Sequence, residues 1–133
     1  MPDPFKFELV SPEQLLVSGE VEEVLVPGAE GDMTVLAKHA PVLTTLRPGL
    51  LDIGFPGGKS QRFFIRGGFA EVNPEGLTVL AETAIDLDEL KAEQLAQAIK
   101  DAEEDVADLK DDAHDRAQTK LEHLRQVQAT LNL

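Results

Sequence analysis

Along the first half of the chain hydrophobic and polar residues alternate; along the second, hydrophobic residues recur every three to four positions. Phe5, Phe7 and Leu9 interleave with Lys6 and Glu8, and Val21, Val24 and Val26 are set against Glu22 and Glu23. Period-two runs rich in β-branched and aromatic residues, bounded by Gly and Pro, predict short half-buried strands. They fall near residues 5–10, 14–18, 21–27, 33–36, 43–46, 49–55, 61–66, 68–73 and 77–81. Pro56-Gly57-Gly58 and Asn73-Pro74-Glu75-Gly76 have the chemistry of hairpin turns. Many short strands at this spacing predict an antiparallel β-sandwich or flattened barrel.

The period changes near Ala84. All ten glycines and all eight prolines lie between Pro2 and Gly76. From Ile85 onward the chain is rich in Ala, Leu, Glu, Lys, Gln and Asp, which favour helix or its caps. Leu95, Ile99, Ala102, Val106 and Leu109 form one apolar stripe at helical spacing. Ala117, Leu121, Leu124, Val127 or Gln128, and Leu131 form a second. The polar run Lys110–Asp115 between them leaves two readings, one helix of about 45 residues or two antiparallel helices. The hairpin is preferred, because two narrow stripes can bury each other while a solitary helix buries neither. Its stripes are modest, so it is expected to be weakly held. The predicted class is therefore β + α, with a sandwich over 1–84 and an antiparallel two-helix hairpin over 85–133.

The densest turn signal is Pro27–Gly49, which holds three glycines and three prolines around two short strand-like runs. Such punctuation specifies tight reversals of fixed backbone geometry. At 133 residues the chain suits one domain with an appendage. Its formal net charge of −13 disfavours nucleic acid and anionic lipid as partners. There is no cysteine, which removes disulfide and thiol chemistry. No apolar run approaches the ~20 residues of a membrane-spanning helix. The opening MPDPFKFELV lacks the pattern of a secretory or transit peptide, so a cytoplasmic protein is expected.

Candidate chemistry is sparse. His114 and His123 stand nine residues apart, about 13 Å along a helix, too far to share a metal ion. His39, in a Lys-His-Ala-Pro turn, is expected to order that loop through a hydrogen bond. Ser11, Ser18 and Ser60 lack a nucleophile elbow, and no phosphate-binding glycine loop or calcium loop is present. Gly67-Gly68 is expected where another backbone passes close to a strand. Arg62 and Arg66, on alternate positions beside it, read as outward charges or as an interface pair. No catalytic residue and no metal site are expected.

Three segments in order resemble the epsilon subunit of F-type ATP synthases, the central-stalk family whose mitochondrial member is called delta. They are Phe7–Glu13; Pro27–Gly49, with Gly31, His39-Ala40-Pro41, Leu43–Leu46 and Pro48-Gly49 on the family pattern; and Gly67–Val72 followed by Leu77–Glu82. Met33-Thr34 departs from it, where a small residue or glycine is more usual. The resemblance implies a non-catalytic rotor subunit of a proton-translocating complex at the cytoplasmic face of a bacterial inner membrane. It implies contacts with the gamma subunit and the c-subunit ring, and with the alpha/beta catalytic head when the helices extend to inhibit hydrolysis. By position the ring-contacting loop is Glu30-Gly31-Asp32, and His39 braces the next turn. Some relatives bind ATP through a motif that here reads Leu87-Asp88-Glu89-Leu90-Lys91-Ala92. Lysine in place of arginine removes the planar fork that grips phosphate, so the motif is degenerate. No cofactor is expected. Asp88 and Lys91 would anchor nucleotide only in the alternative reading of an ATP-sensing module.

Overall fold

The computed structural model describes residues 3–133 and divides into two compact units, one ending at Leu87 and the other running from Asp88 to Leu133. The described residues of the first unit form ten strands: β1 (Phe5–Ser11), β2 (Gln14–Val21), β3 (Glu23–Gly28), β4 (Gly31–Val35), β5 (Val42–Leu46), β6 (Gly49–Gly54), β7 (Ser60–Ile65), β8 (Gly68–Asn73), β9 (Gly76–Ala81) and β10 (Ala84–Asp86). They form a curled sandwich in the order β10-β7-β6-β3-β5-β8-β9-β1-β2, with β4 paired to β3. The pairings are antiparallel except β1 with β9, which run parallel with Phe7 beside Leu77 and Leu9 beside Val79.

The alternation in the sequence becomes the two faces of these strands. Phe7, Leu9, Val24, Val26, Leu51, Ile53, Ala70, Val72, Leu77 and Val79 point into one core, while Lys6, Glu8, Glu71 and Thr78 point out. Burying each large side chain of this set contributes about 1.5–3 kcal/mol before chain entropy is subtracted.

The structure shifts several expected boundaries. Val21 ends β2 rather than opening β3. Glu22 is the corner, its N–H bonding Gly54 O at 2.8 Å. The Val21-to-Val24 spacing of three breaks the two-residue period at that corner. Ile85, expected at the start of the helical half, lies in β10, which pairs with β7. The edge is fastened by Gln61 donating to Asp86 at 2.8 Å and by Leu87 N–H to Arg62 O at 2.9 Å. The compact sandwich therefore runs three residues beyond Ala84.

In the second unit, α1 (Ala92–Asp108) and α2 (Asp111–Leu131) pack on each other. Leu95, Ala98, Ile99 and Ala102 are buried on α1, and Ala117, Leu121, Leu124 and Val127 on α2. The connection is only Leu109-Lys110, shorter than the expected break at 110–115. Asp111 and Asp112 occupy the first turn of α2, where their charge suits the helix N-terminus. His114 Nδ1 lies 2.9 Å from the carbonyl of Val106 in the last turn of α1. That carbonyl has no partner within its own helix end, so His114 donates to it and closes the corner. Leu109, expected in the first stripe, caps α1 in extended conformation and is exposed.

Candidate functional site

The tract singled out by its turns builds one end of the sandwich. β3 and β4 form a tight hairpin in which Gly28 pairs with Gly31, leaving Ala29 and Glu30 as the two-residue tip. Gly28 is required by space: a Cβ there would lie 2.7 Å from Gly31 O. The β5–β6 corner sits against this hairpin. Ala29 N–H bonds Thr45 O at 2.9 Å, and Arg47 N–H bonds Pro27 O at 3.0 Å. A Cβ on Gly49 would meet Pro27 Cβ at 2.8 Å, so backbone and ring are in direct contact.

Arg47 completes the arrangement. Its guanidinium donates to Gly28 O through Nη1 and to the Asp32 carboxylate through Nη2. The Arg47 side chain is 21% exposed against 57% for Asp32, so the arginine is the more sheltered partner of the pair. A fork with two fixed acceptors holds geometry better than a point charge does. Glu30 therefore projects from a tip whose base is pinned on both strands.

The expected site residues separate. Glu30 is at the tip, whereas Gly31 and Asp32 belong to β4. His39 lies beyond the far end of β4, in the turn after Val35, about 17 Å of strand away. There His39 N–H bonds Leu36 O at 3.2 Å, and Nδ1 lies 2.7 Å from Ala40 O, so Nδ1 carries the proton. The turn reverses through Lys38 in left-handed conformation (φ 64°). His39 thus orders its loop by hydrogen bonding.

Gly67-Gly68 behaves as expected of a close approach. A Cβ on Gly68 would be 1.9 Å from Leu80 O. Arg62 stands opposite Asp52 across β6 and β7, and Arg66 N–H bonds Thr83 O at 3.1 Å. In the second unit Lys91 is the N-cap of α1. The side-chain carbonyl of Gln94 accepts the Lys91 N–H at 2.8 Å. A lysine side chain has no acceptor with which to return that bond. Asp88 is exposed three residues earlier. Among the described residues, no group of three or more His, Asp or Glu side chains is placed to hold a metal ion.

Sequence reasoning missed Arg47 and a second surface. On the outward face, Leu15 pairs with Val10, Val10 with Leu80, and Leu80 with Phe69, forming an apolar row across β2, β1, β9 and β8. Leu15, Phe69 and Leu80 are 53%, 50% and 51% exposed, and Leu43 on β5 is more so. Val10, Ser11, Pro12, Gly68, Phe69, Leu80, Ala81 and Glu82 line a groove of about 340 Å³. A contiguous apolar row of this kind is a candidate contact area. The signal lay in the second, outward-facing set of apolar residues in strands that also carry a complete inward set.

The chain is thus a β-sandwich joined to a helical hairpin, with a pinned polar tip and an exposed apolar row on the sandwich. Comparison with known proteins narrows the class. Residues 4–87 match the family model described as ATP synthase, Delta/Epsilon chain, beta-sandwich domain. The chain is 51% identical over 132 residues to the ATP synthase epsilon chain of Parvibaculum lavamentivorans, covering 98% of this chain and 100% of that one. It is 47% identical to the epsilon chain of Mesorhizobium japonicum, covering 98% of each. Among solved structures, a chain of the Euglena gracilis mitochondrial ATP synthase OSCP/F1/c-ring assembly superposes with TM-score 0.77 at 28% identity, over 98% of this chain and 83% of that one. A chain of the Tetrahymena thermophila mitochondrial ATP synthase central stalk/c-ring shares the fold, with TM-score 0.73 at 16% identity over 99% and 98%. The chain belongs to the ATP synthase epsilon-chain family, whose members are non-catalytic subunits of the F-type complex.

Proposed function

We propose that the chain is a central-stalk rotor subunit of a proton-translocating F-type ATP synthase, coupling rotation of the c-subunit ring to ATP synthesis in the catalytic head. The observation that carries this reading is the full-length similarity to a chain solved within an F1/c-ring assembly. Two surfaces suit the role. The Glu30 tip is small, acidic and held from both sides, so it can meet polar or basic ring loops with directed hydrogen bonds at little ordering cost. The Leu15–Val10–Leu80–Phe69 row offers the apolar area on which the gamma subunit would pack. Through these partners the chain would sit at the cytoplasmic face of a bacterial inner membrane as a peripheral part of the complex.

In this reading the helical hairpin regulates. When opened and extended toward the alpha/beta head it would restrain ATP hydrolysis. Reconstitution with a chain ending after Leu87 tests the division of labour. Preserved ATP-driven proton pumping with raised hydrolysis supports an inhibitory hairpin. Unchanged hydrolysis removes that function, and lost coupling with a folded sandwich refutes the assignment of coupling to the first unit. No nucleotide site is part of the proposal, since a lysine at the α1 N-cap replaces the fork that would grip phosphate. Amide shifts at Asp88 and Lys91 on titration with millimolar ATP would favour the sensor reading instead.

A further inference from the structure

We infer that Arg47 is a positioning residue for the ring contact: it sets the direction in which the Glu30 tip leaves the sandwich. The inference rests on the reading that this tip meets the ring. Arg47 belongs to the β5–β6 corner rather than the β3–β4 hairpin, yet it reaches both hairpin strands. Its backbone N–H bonds Pro27 O at 3.0 Å. Its guanidinium takes Gly28 O on β3 with one limb and the Asp32 carboxylate on β4 with the other.

Within the hairpin, β4 is the strand that such an anchor would hold. Among the described residues β4 has β3 as its one strand partner and lies off the main strand order. A two-residue loop fixes the register of Gly28 with Gly31, and β3 is held in the sheet by β6 and β5, so β4 is the less constrained arm of the hairpin. The half-buried Arg47 ties β4 to the corner holding Pro48 and Gly49. With Asp32 already engaged by Arg47, Glu30 is the acidic side chain left at the tip. This divides the expected loop Glu30-Gly31-Asp32 into a contact residue and a support residue.

The test uses the full chain in reconstituted complexes. Arg47→Met keeps most of the stem and removes the fork; Arg47→Lys keeps a charge near Asp32 but lacks the second limb. Glu30→Lys alters the tip itself. The readouts are ATP-driven proton pumping per ATP hydrolysed in the assembled complex, amide exchange at residues 29–34, and Tm of the free subunit. The expected result is faster exchange at the hairpin and a several-fold loss of coupling for Arg47→Met, with partial recovery in Arg47→Lys. Loss of Tm with undiminished coupling in complexes that assemble would show a merely structural arginine and overturn the inference. If Glu30→Lys uncouples and neither Arg47 variant does, the inference falls and the tip reading stands. If Glu30→Lys also leaves coupling intact, the ring contact itself is wrong and the role of Arg47 falls with it. Should Arg47→Met fail to fold, Arg47→Lys carries the same comparison.

Discussion

Gly68 and Gly76 are two positions where a side chain has no room. A Cβ on Gly76 would stand 2.1 Å from Lys6 O, and both glycines have positive φ, 131° and 150°. Neither obstacle is a flexible side chain; both are strand backbone. Gly68→Ala is expected to cost roughly 3 kcal/mol or more, because ladder bonds of β8 and β9 must open to admit the methyl group. Urea denaturation of the full chain would show it as a lowered midpoint. Against a total stability of about 5–15 kcal/mol, that is a large share. The turn before Gly76 predicts a smaller effect. Asn73 Oδ1 accepts the N–H groups of Glu75 at 2.9 Å and Gly76 at 3.1 Å. Asn73→Ala should cost about 1 kcal/mol by the same measurement.

Between elements, apolar contacts outweigh charge. Arg125 and Glu103 form an ion pair across α1 and α2 at 3.1 Å, yet each is about half exposed. Glu103→Gln should change hairpin stability by ~0.5 kcal/mol or less. Leu124, fully buried on α2, is different. Leu124→Ala should cost about 2–5 kcal/mol, read as faster amide exchange across both helices. The pattern that identifies Leu124 was visible in the sequence, as were the turns flanking the long strands, because each depends on neighbours within a few positions. β10 was not visible, since three residues carry no period. Nor was Arg47, whose partners lie 15 to 20 positions away and include two main-chain carbonyls that leave no trace in residue identity. The tip lay within reach: Gly28 and Gly31 bracket two residues, the spacing of a tight hairpin, and Glu30-Gly31-Asp32 straddles it.

The whole molecule is two compact units in one short chain, and the join decides where it can be cut. A chain ending at Ala84 loses Ile85 and Asp86 from β10, the Gln61–Asp86 bond and the Leu87–Arg62 bond. It should melt below a chain ending at Leu87, as differential scanning calorimetry would show. The parallel pairing of β1 with β9 bears on a different stage in the life of the protein. β1 is flanked on one side by β2, which follows it at once, and on the other by residues 76–80, made about 65 residues later. On the ribosome the β1–β2 hairpin must wait with an open apolar edge until β9 emerges. Loops of this length make such pairings slow, so the sandwich closes late and all together. Trimming into Phe5–Ser11 should leave the edge of β9 away from β8 without its partner and the nascent chain prone to aggregate.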